Sequence, residues 1–535
     1  MLDYESLRTA VQSEGGVSRR AMLAYSAALG SLPLLGRTSW AETRPAFASD
    51  PFTLGVASGD PTSDGMVLWT RLAPAPLDPN GGMPTTPVEV PWEVAEDDAL
   101  NHVVRKGTAT ATPQLGHAVH VEVDGLKPDR WYWYRFRAGD AQSPVGRTRT
   151  FPAPDVMPAK LAFAFASCQH YEHGYYTAYE GMAGDDLDLV VHLGDYIYEK
   201  GPYKLRKGEK DPNVRKHVGG EIESLGDYRV RHSLYRSDPL LHGMHAQCPW
   251  IVTWDDHEVD NNYADGTSEE KRVDPVDFLL RRANAYQAYY EMMPLRKRSM
   301  PSGPNMRLYR GADFGRLARF LTLDTRQHRS DQPNDDGKTP LNADALNPSN
   351  TMLGADQRRW LERRLIDSSA NWNVLAQQVM MGTVARFEKD GVPMYSMDQW
   401  PGYAAERAAL MRFLQDRRVP NPVVLTGDIH CNWANELRVD DLKPETPIVA
   451  SEFVGTSITS GGNGVDRADD HDATLSANPC VRYYNRERGY VRCTVTPDAW
   501  VSDYMVVDDV QRPGGNVTKR ASYAVESGKP GVSPA

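Results

Sequence analysis

The chain has 535 residues, which is enough for several domains with sizeable hydrophobic cores. Hydrophobic residues make up 40% of the chain and charged residues 24%, so a collagen-like, disordered or membrane-bundle protein is excluded. The net charge of −11 comes without a compensating basic run, and we therefore expect no nucleic acid as a binding partner.

Residues 1–41 are predicted to be an export signal. Arg19 and Arg20 form a twin-arginine pattern, an apolar run follows, and Ser39-Trp40-Ala41 is a small-x-small cleavage site. The apolar run is shorter than the roughly 20 residues that span a bilayer, so we expect no permanent membrane anchor. The alternative is an amphipathic first helix of the mature fold. The pattern predicts export of the folded protein by the Tat machinery to the periplasm or the cell exterior.

Residues 50–153 are predicted to form a β-sandwich. Short alternating runs lie between Gly, Pro and Asp turns, as is typical of such domains. These runs are 52–56, 65–71, 88–94, 117–123 and 131–137. The sequence Gly125-Leu-Lys-Pro128, followed by alternating aromatic residues, resembles the later strands of fibronectin type III domains. We expect this domain to buttress or shield the next one.

Between residues 160 and 505 the pattern changes to apolar strands that alternate with helical segments. The strand-like runs are 160–166, 188–193, 250–253, 319–323, 372–375 and 422–426. Such runs suit strands buried on both faces, so they predict an α/β core with helices on the outside. Residues 510–535 are rich in Gly, Pro and Ser and are predicted to be a mobile C-terminal tail.

The five cysteines lie at scattered positions, which excludes a dense disulfide framework. One pair stays open, for example Cys480 with Cys493. Export of a folded protein allows a metal site to be loaded before a thiol meets oxidising surroundings. Cysteine is therefore acceptable as a metal ligand in this chain.

Five of the six predicted strands run into residues that bind metals in other proteins. The segments are Cys168–His170, Asp195–Glu199, Asp255–Asn262, Asp324–Arg326 and Asp428–Asn432. A single aspartate after a strand is usually a helix cap or a turn residue. Five such segments are harder to attribute to capping, because strand ends in open α/β sheets converge on one edge. Converging carboxylates would repel one another unless cations neutralise them.

The donor types indicate more than one metal ion. The hard oxygen donors are Asp195, Asp256, Asp428 and the amide of Asn261 or Asn262, which suit calcium, magnesium or manganese. Cys168, Tyr198 and His430 favour a transition metal, and a phenolate favours ferric iron. The two oxygens of Asp195 allow it to bridge two ions, an arrangement that holds phosphoryl oxygens.

The same motifs carry a family resemblance. Gly194-Asp195-x-x-Tyr198 resembles a ligand block of metallophosphoesterases of the purple acid phosphatase kind. Two blocks depart from that pattern, Asp255-Asp256-His257-Glu258 and Gly427-Asp428-Ile429-His430, and Cys168 has no counterpart there. With Leu323–His328, Glu452–Thr456, the twin-arginine signal and the fibronectin-like front, these departures resemble the alkaline phosphatase D (PhoD) family. The resemblance extends from the signal to about residue 505.

The resemblance implies an αββα sandwich of the metallophosphoesterase type behind the fibronectin-III-like domain, and an iron–calcium site. Its Fe(III) ligands would be Cys168, Asp195, Tyr198 and His430. Its Ca(II) ligands would be Asp195, Asp428 and members of the Asp/Asn set near 256–262. Asp256 is preferred over Asp255 because it aligns with the metal-binding asparagine of the commoner motif. Asn261 is preferred over Asn262, and both choices stay open.

The predicted activity is that of a secreted alkaline phosphatase, which hydrolyses phosphate monoesters, diesters or both through hydroxide formed on the metal ions. His257 is predicted to donate a hydrogen bond to the phosphate or leaving oxygen, and Arg326 to bind the phosphate bidentately. The alternative for Arg326 is a salt bridge. The glycine turn Gly461–Gly464 is interpreted as an ordinary loop.

Two rival functions remain at this stage. One is a phospholipase D-type phosphodiesterase that acts on lipid headgroups or teichoic-acid-like polymers. It would need a longer and more apolar groove, whereas a monoesterase needs extra positive charge. The other is a non-catalytic surface-binding module, in which the β-sandwich would be the working part.

Overall fold

Two large β-sheets packed face to face form the centre of the molecule. The computed structural model describes Phe47, residues 49–204 and residues 211–535. The predicted export signal at 1–41 lies outside the described residues. Within the described residues, no helix combines the length and the apolar character that a bilayer crossing requires.

The N-terminal region is a β-sandwich. Its strands are β1 (Val56–Gly59), β2 (Met66–Arg71), β3 (Val88–Ala95), β4 (Val103–Ala111), β5 (Ala118–Val123), β6 (Trp131–Ala138), β7 (Ala141–Gln142) and β8 (Gly146–Arg149). One sheet contains β1, β2 and β5, and the other contains β4, β3, β6 and β7 with β8 paired to β6. Along β6, Tyr132, Tyr134 and Phe136 alternate with partly exposed residues and are buried against Leu68 of the facing sheet's core. This alternation of period two confirms the predicted β-sandwich.

The remaining elements build the α/β part. The strands are β9 (Leu161–Ala166), β10 (Leu189–His192), β11 (Trp250–Val252), β12 (Arg310–Phe314), β13 (Ala318–Thr322), β14 (Lys338–Thr339), β15 (Trp372–Ala376), β16 (Phe387–Lys389), β17 (Val392–Ser396), β18 (Pro422–Thr426), β19 (Asn432–Leu437), β20 (Ala450–Val454), β21 (Val481–Asn485), β22 (Arg488–Val495), β23 (Ala499–Val507), β24 (Val517–Glu526) and β25 (Lys529–Pro534). The helices are α1 (Thr177–Ala183), α2 (Leu225–Arg236), α3 (Pro239–His245), α4 (Pro275–Met292), α5 (Gly354–Ile366), α6 (Ala404–Asp416) and α7 (His471–Ala477).

The two large sheets and two helix layers make an αββα sandwich. A ten-stranded sheet has the order β25-β24-β23-β22-β9-β10-β11-β1-β2-β5, and a seven-stranded sheet has the order β12-β13-β15-β18-β20-β19-β21. Phe163 and Val191 of the first sheet pack against Phe320 and Phe453 of the second. Helices α1 to α4 cover the outer face of the ten-stranded sheet, and α5 and α6 cover that of the seven-stranded sheet. The predicted fold class is therefore confirmed.

The β-sandwich is joined to the α/β part through the ten-stranded sheet. Strand β1 pairs in parallel with β11, where Gly59 lies opposite Trp250. The approach is close, because a Cβ on Gly59 would lie 2.8 Å from the carbonyl oxygen of Trp250. One sheet of the sandwich is thus continuous with the sheet that carries the candidate site.

The described structure corrects two expectations from the sequence. Residues 517–534 form β24 and β25 at the edge of the ten-stranded sheet, so the predicted mobile tail is wrong for this segment. The glycines that suggested mobility, Gly514 and Gly528, lie in turns next to these strands and adopt positive φ. All five cysteines are free thiols, so the open Cys480–Cys493 pairing is not formed.

Candidate active site

The predicted ligands meet because the carboxyl ends of parallel strands lie side by side. Strands β9, β10 and β11 are parallel and end at Ala166, His192 and Val252. In the facing sheet, β18 ends at Thr426 and runs parallel to β15 and β20. A bridge between Ser167 and Ser457 ties the two sheets together at this edge. The loops that follow these strands therefore enter one region.

Most of the predicted ligands form one continuous cluster. Three groups have ligand atoms within 4.8 Å of one another: Cys168, Asp195 and His430; Asp195, Asp256 and His257; and Asp255, Asp256 and Asp428. Asp195 belongs to the first two groups and Asp256 to the last two, which makes the groups contiguous. The hydroxyl of Tyr198 lies 2.9 Å from Oδ2 of Asp195 and 3.3 Å from Nε2 of His430.

Four residues of this cluster have an unusual backbone conformation. Cys168, Asp195, Asp428 and His430 have φ angles of 59°, 53°, 64° and 55°, in the left-handed region that residues other than glycine rarely adopt. Such conformations cost about 1–3 kcal/mol each and concentrate at functional sites. The backbone conformation that directs these four side chains therefore lowers the free energy of unfolding.

The cluster contains buried acidic atoms that lack partners. Oδ1 of Asp195 and Oδ2 of Asp255 are buried and accept no hydrogen bond from the described residues. Burial raises the pKa of Asp195 well above its ordinary value, and burial followed by the charge of Asp195 does the same to the pKa of the Cys168 thiol. Since unpaired buried charges are costly, these donors fit bound cations.

His257 lies inside the cluster and is held by a carboxylate. Its Nδ1 atom lies 2.6 Å from Oε2 of Glu199, and its ring centroid lies 4.1 Å from that of Tyr198. Burial alone would lower the pKa of His257, but Glu199, Asp256 and Asp195 together raise it well above its ordinary value. A protonated His257 would be a hydrogen-bond donor, and its role towards the phosphate stays a prediction.

Arg326 is placed in the site but not as predicted. Its guanidinium is fully buried, with Nε 2.5 Å from Asp255 and with Nη1 and Nη2 at 2.7 and 3.0 Å from the two oxygens of Asp398. Because Asp398 occupies the fork of the guanidinium, Arg326 is not in a position to bind phosphate bidentately. The contacts match the salt-bridge alternative. Arg326 also lies 3.8 Å from Asp256 and 3.7 Å from Asp428, so one cation faces four carboxylates.

The two candidate asparagines point to different places. Nδ2 of Asn261 donates to Glu269 at 2.7 Å, so this side chain does not join the cluster. The backbone N–H of Asn262 donates to Oδ2 of Asp256 at 2.7 Å, and its side chain contacts Asp336. The preference for Asn261 is therefore not supported, and Asn262 is the asparagine that touches the cluster.

Several residues of the site were missed by the sequence analysis. Asp398 and Ser460 follow no predicted apolar strand, so nothing in the pattern marked them. The Ser460 hydroxyl lies 2.6 Å from the Tyr198 hydroxyl and donates to the carbonyl oxygen of Cys168 at 2.7 Å. Glu258 accepts hydrogen bonds from the backbone N–H groups of Asp195 and Asp255 at 3.0 and 2.8 Å. Glu258 belongs to the Asp255–Glu258 block of the sequence analysis, which predicted no role for it.

Two protein-family models match this chain. The model of the PhoD-like phosphatase family matches residues 163–504, and that of the PhoD-like phosphatase N-terminal domain matches residues 38–152. The chain belongs to the PhoD-like phosphatase family. As a member of that family it is a phosphoric ester hydrolase, which confirms the predicted enzyme class and argues against a non-catalytic binding module.

Two relatives of this PhoD-like phosphatase match nearly its whole length. Alkaline phosphatase D of Bacillus subtilis (strain 168) is 54% identical over 488 residues, which are 91% of this chain and 83% of that protein. A solved structure of PhoD superimposes with a TM-score of 0.89 at 53% identity, covering 92% of this chain and 93% of the other. The family resemblance predicted from the sequence is thus confirmed.

Proposed function

We propose that this PhoD-like phosphatase is an exported, metal-dependent alkaline phosphatase that hydrolyses phosphate monoesters, diesters or both. The observation that carries the proposal is the buried cluster of a thiol, a phenol, an imidazole and several carboxylates, in which two carboxylate oxygens have no hydrogen-bond partner among the described residues. The name of the 54% identical relative, alkaline phosphatase D, supports the same activity.

The donor set supports two kinds of metal ion. Cys168, Tyr198 and His430, with Asp195, are the residues that would hold Fe(III), because thiolate, phenolate and imidazole suit a transition metal. Asp195, Asp256 and Asp428 would hold Ca(II) through hard oxygen donors. When bound, such ions lower the pKa of a coordinated water and neutralise charge on phosphoryl oxygens.

Two further residues of the chain have proposed roles, one towards the substrate and one towards the neighbouring carboxylates. His257, kept in place by Glu199, is suited to donate a hydrogen bond to a phosphoryl or leaving oxygen. Arg326 forms salt bridges with Asp255 and Asp398 in a buried region, which fixes these side chains before substrate binds. Its role is to position residues rather than to bind the substrate.

Export is proposed on the sequence of the signal. Arg19 and Arg20, the apolar run and the Ala41 cleavage site are the features of a Tat signal, and a Tat-exported protein would carry its metal ions across the membrane in the folded state. The proposed destination is the periplasm or the cell exterior.

The test compares two cysteine variants of the full chain made with sufficient iron and calcium. Cys168→Ser should lose most of its iron and its activity on 4-nitrophenyl phosphate and bis(4-nitrophenyl) phosphate, with a similar melting temperature. The control is Cys493→Ser, which changes another buried cysteine, packed between the two sheets. This variant should keep its iron and its activity. Elemental analysis measures the metals, and the two substrates separate monoesterase from diesterase activity. Unchanged iron in Cys168→Ser would contradict the proposed site.

A further inference from the structure

A cavity of about 610 Å³ lies beside the candidate site and is separate from the metal-type cluster. It is lined by residues of the segment 461–470 and by Arg486 and Arg488. None of the predicted metal ligands lines it. The segment includes the glycine turn that the sequence analysis interpreted as an ordinary loop.

The cavity adjoins two of the predicted iron ligands. Nη1 of Arg488 donates to the carbonyl oxygen of His430 at 2.9 Å. Ser460, which directly precedes the lining segment, lies 2.6 Å from the Tyr198 hydroxyl. The backbone N–H of Gly461 donates to Nδ1 of His173 at 3.0 Å. The cavity therefore adjoins the segments that carry the cluster.

Arg488 carries a charge that the described residues do not neutralise. Only 8% of Arg488 is exposed, and its Nε and Nη1 atoms donate to the carbonyl oxygens of Gly462, His430 and Arg486 at 2.8 to 2.9 Å. All of these acceptors are neutral, and Nη2 donates to none of the described residues. A buried guanidinium without a counter-ion is costly, so an anion that reaches Nη2 would bind there favourably.

The neighbouring charges leave the inner end of the cavity positive. Neither Arg486 nor Arg488 forms an ion pair with a carboxylate in the described part of the chain, whereas Arg467 pairs with Asp472 at 2.5 Å. Asp469 and Asp470 also line the cavity, but they are exposed, as is Arg486, so solvent screens all three charges and the buried Arg488 is the charge that is not screened.

The glycine turn keeps Arg488 accessible. Gly461 has a φ of 86°, a conformation that favours glycine, and a Cβ at this position would lie 2.9 Å from Nη2 of Arg488. A side chain here would cover Nη2, the guanidinium nitrogen of Arg488 that has no acceptor in the described part of the chain. The turn therefore leaves Nη2 of Arg488 uncovered, in addition to connecting two strands.

We propose that Arg486 and Arg488 form a subsite for a second phosphoryl group carried by the alcohol portion of the substrate. The inference rests on the proposed function, because it assumes that the first phosphoryl group is hydrolysed at the cluster. In that reaction the bond between phosphorus and the alcohol oxygen breaks, and phosphorus bonds to the oxygen of a water molecule. One proton of that water goes to the alcohol, which leaves with the second phosphoryl group intact.

The test compares two substrates that differ only in this group, propane-1,3-diol monophosphate and the corresponding bisphosphate. Phosphate release is measured with the full-length, metal-replete protein, and kcat/KM for the bisphosphate is halved to correct for its two equivalent esters. We expect the corrected value to exceed that of the monophosphate about tenfold, as for one charge-assisted contact. Arg486→Gln should reduce this ratio at least about fivefold, and Arg486→Glu should bring it below one. Arg486 is exposed, so neither variant disturbs the core.

The matched control is Arg363→Gln, which removes one exposed arginine from helix α5 and should leave the ratio unchanged. A wild-type ratio near one, or an unchanged ratio in both Arg486 variants, would overturn the subsite. Absence of phosphate release from both substrates by the metal-replete wild type would instead contradict the proposed function. The two failures are therefore distinguishable.

Discussion

The hydroxyl oxygens of Ser460 and Tyr198 lie 2.6 Å apart, although 262 positions separate the two residues in the chain. Ser460 also donates to the carbonyl oxygen of Cys168 at 2.7 Å. One small residue thus orients two of the proposed iron ligands. Partners of this kind tune the affinity of the ligands that they hold.

Ser460→Ala is expected to weaken iron binding about 10- to 100-fold, because the variant loses both contacts while the ligands themselves stay in place. Competition with a chelator, followed by elemental analysis, measures the change. Ser502→Ala, which alters another buried serine in β23, is the control and should bind iron like the wild type. Equal iron affinity in Ser460→Ala and the wild type would show that this serine does not support the site.

Arg326→Met is expected to lower the free energy of unfolding by about 3–5 kcal/mol, since it leaves Asp255 and Asp398 buried without their cation. Urea denaturation measures the effect, with the exposed Arg363→Met as control. If Arg326 bound phosphate, its substitution would instead raise KM and leave the free energy of unfolding nearly unchanged. That result would refute the positioning role.

Glu452→Gln is expected to destabilise the fold by about 1–3 kcal/mol. The Glu452 carboxylate accepts hydrogen bonds from the N–H groups of Met381 and Gly382 and from the side chains of Thr426 and Asn435, at 2.7 to 2.9 Å. A glutamine amide would direct its own N–H groups at some of these donors. Glu388→Gln, at an exposed position, should leave the melting temperature unchanged.

His232 is expected to make stability depend on pH. Burial, and then Arg236, Arg71 and Arg231, lowers its pKa from 6.5 to about 3. Below pH 6.5 the unfolded chain therefore binds a proton that the folded chain does not bind. This contribution to stability is complete above pH 6.5 and decreases as the pH falls, by about 1.4 kcal/mol at pH 5.5.

His232→Leu tests this pH dependence at little structural cost. Neither ring nitrogen of His232 has a hydrogen-bond partner among the described residues, so leucine removes no hydrogen bond. The loss of melting temperature between pH 7.5 and pH 5.5 should be smaller in this variant than in the wild type. His102→Leu, at an exposed position, should retain the wild-type slope. Identical slopes for His232→Leu and the wild type would contradict the assignment.

The sequence predicted the sheets and the proximity of most candidate ligands, and both predictions have the same physical reason. In β9, Phe163 faces the other sheet and Ala164 faces the helices, so a strand buried on both faces appears as a continuous apolar run. Such strands have carboxyl ends at one edge, which brings Cys168, Asp195 and Asp428 together whatever the loops between them do.

The remaining contacts depend on loop positions that no periodicity specifies. Asp398 reaches Arg326 only because the segment after β17 folds back onto the site. Asn261 and Asn262 are neighbours in a turn, and the positive φ of Asn262, 48°, separates the directions of their side chains. The tail at 510–535 was misjudged because its glycines mark turns between strands, and composition does not distinguish these from a flexible segment.

The centre of the ten-stranded sheet also determines when the protein can fold. Strand β9 pairs with β10, its near neighbour in sequence, and on its other side with β22, which comes from the far end of the chain. The middle of the sheet is therefore complete only after the ribosome has synthesised almost the entire polypeptide. Because long-range strand pairing of this kind is slow, the core forms after release rather than during translation. Nascent chains that stop before β22 should remain sensitive to protease.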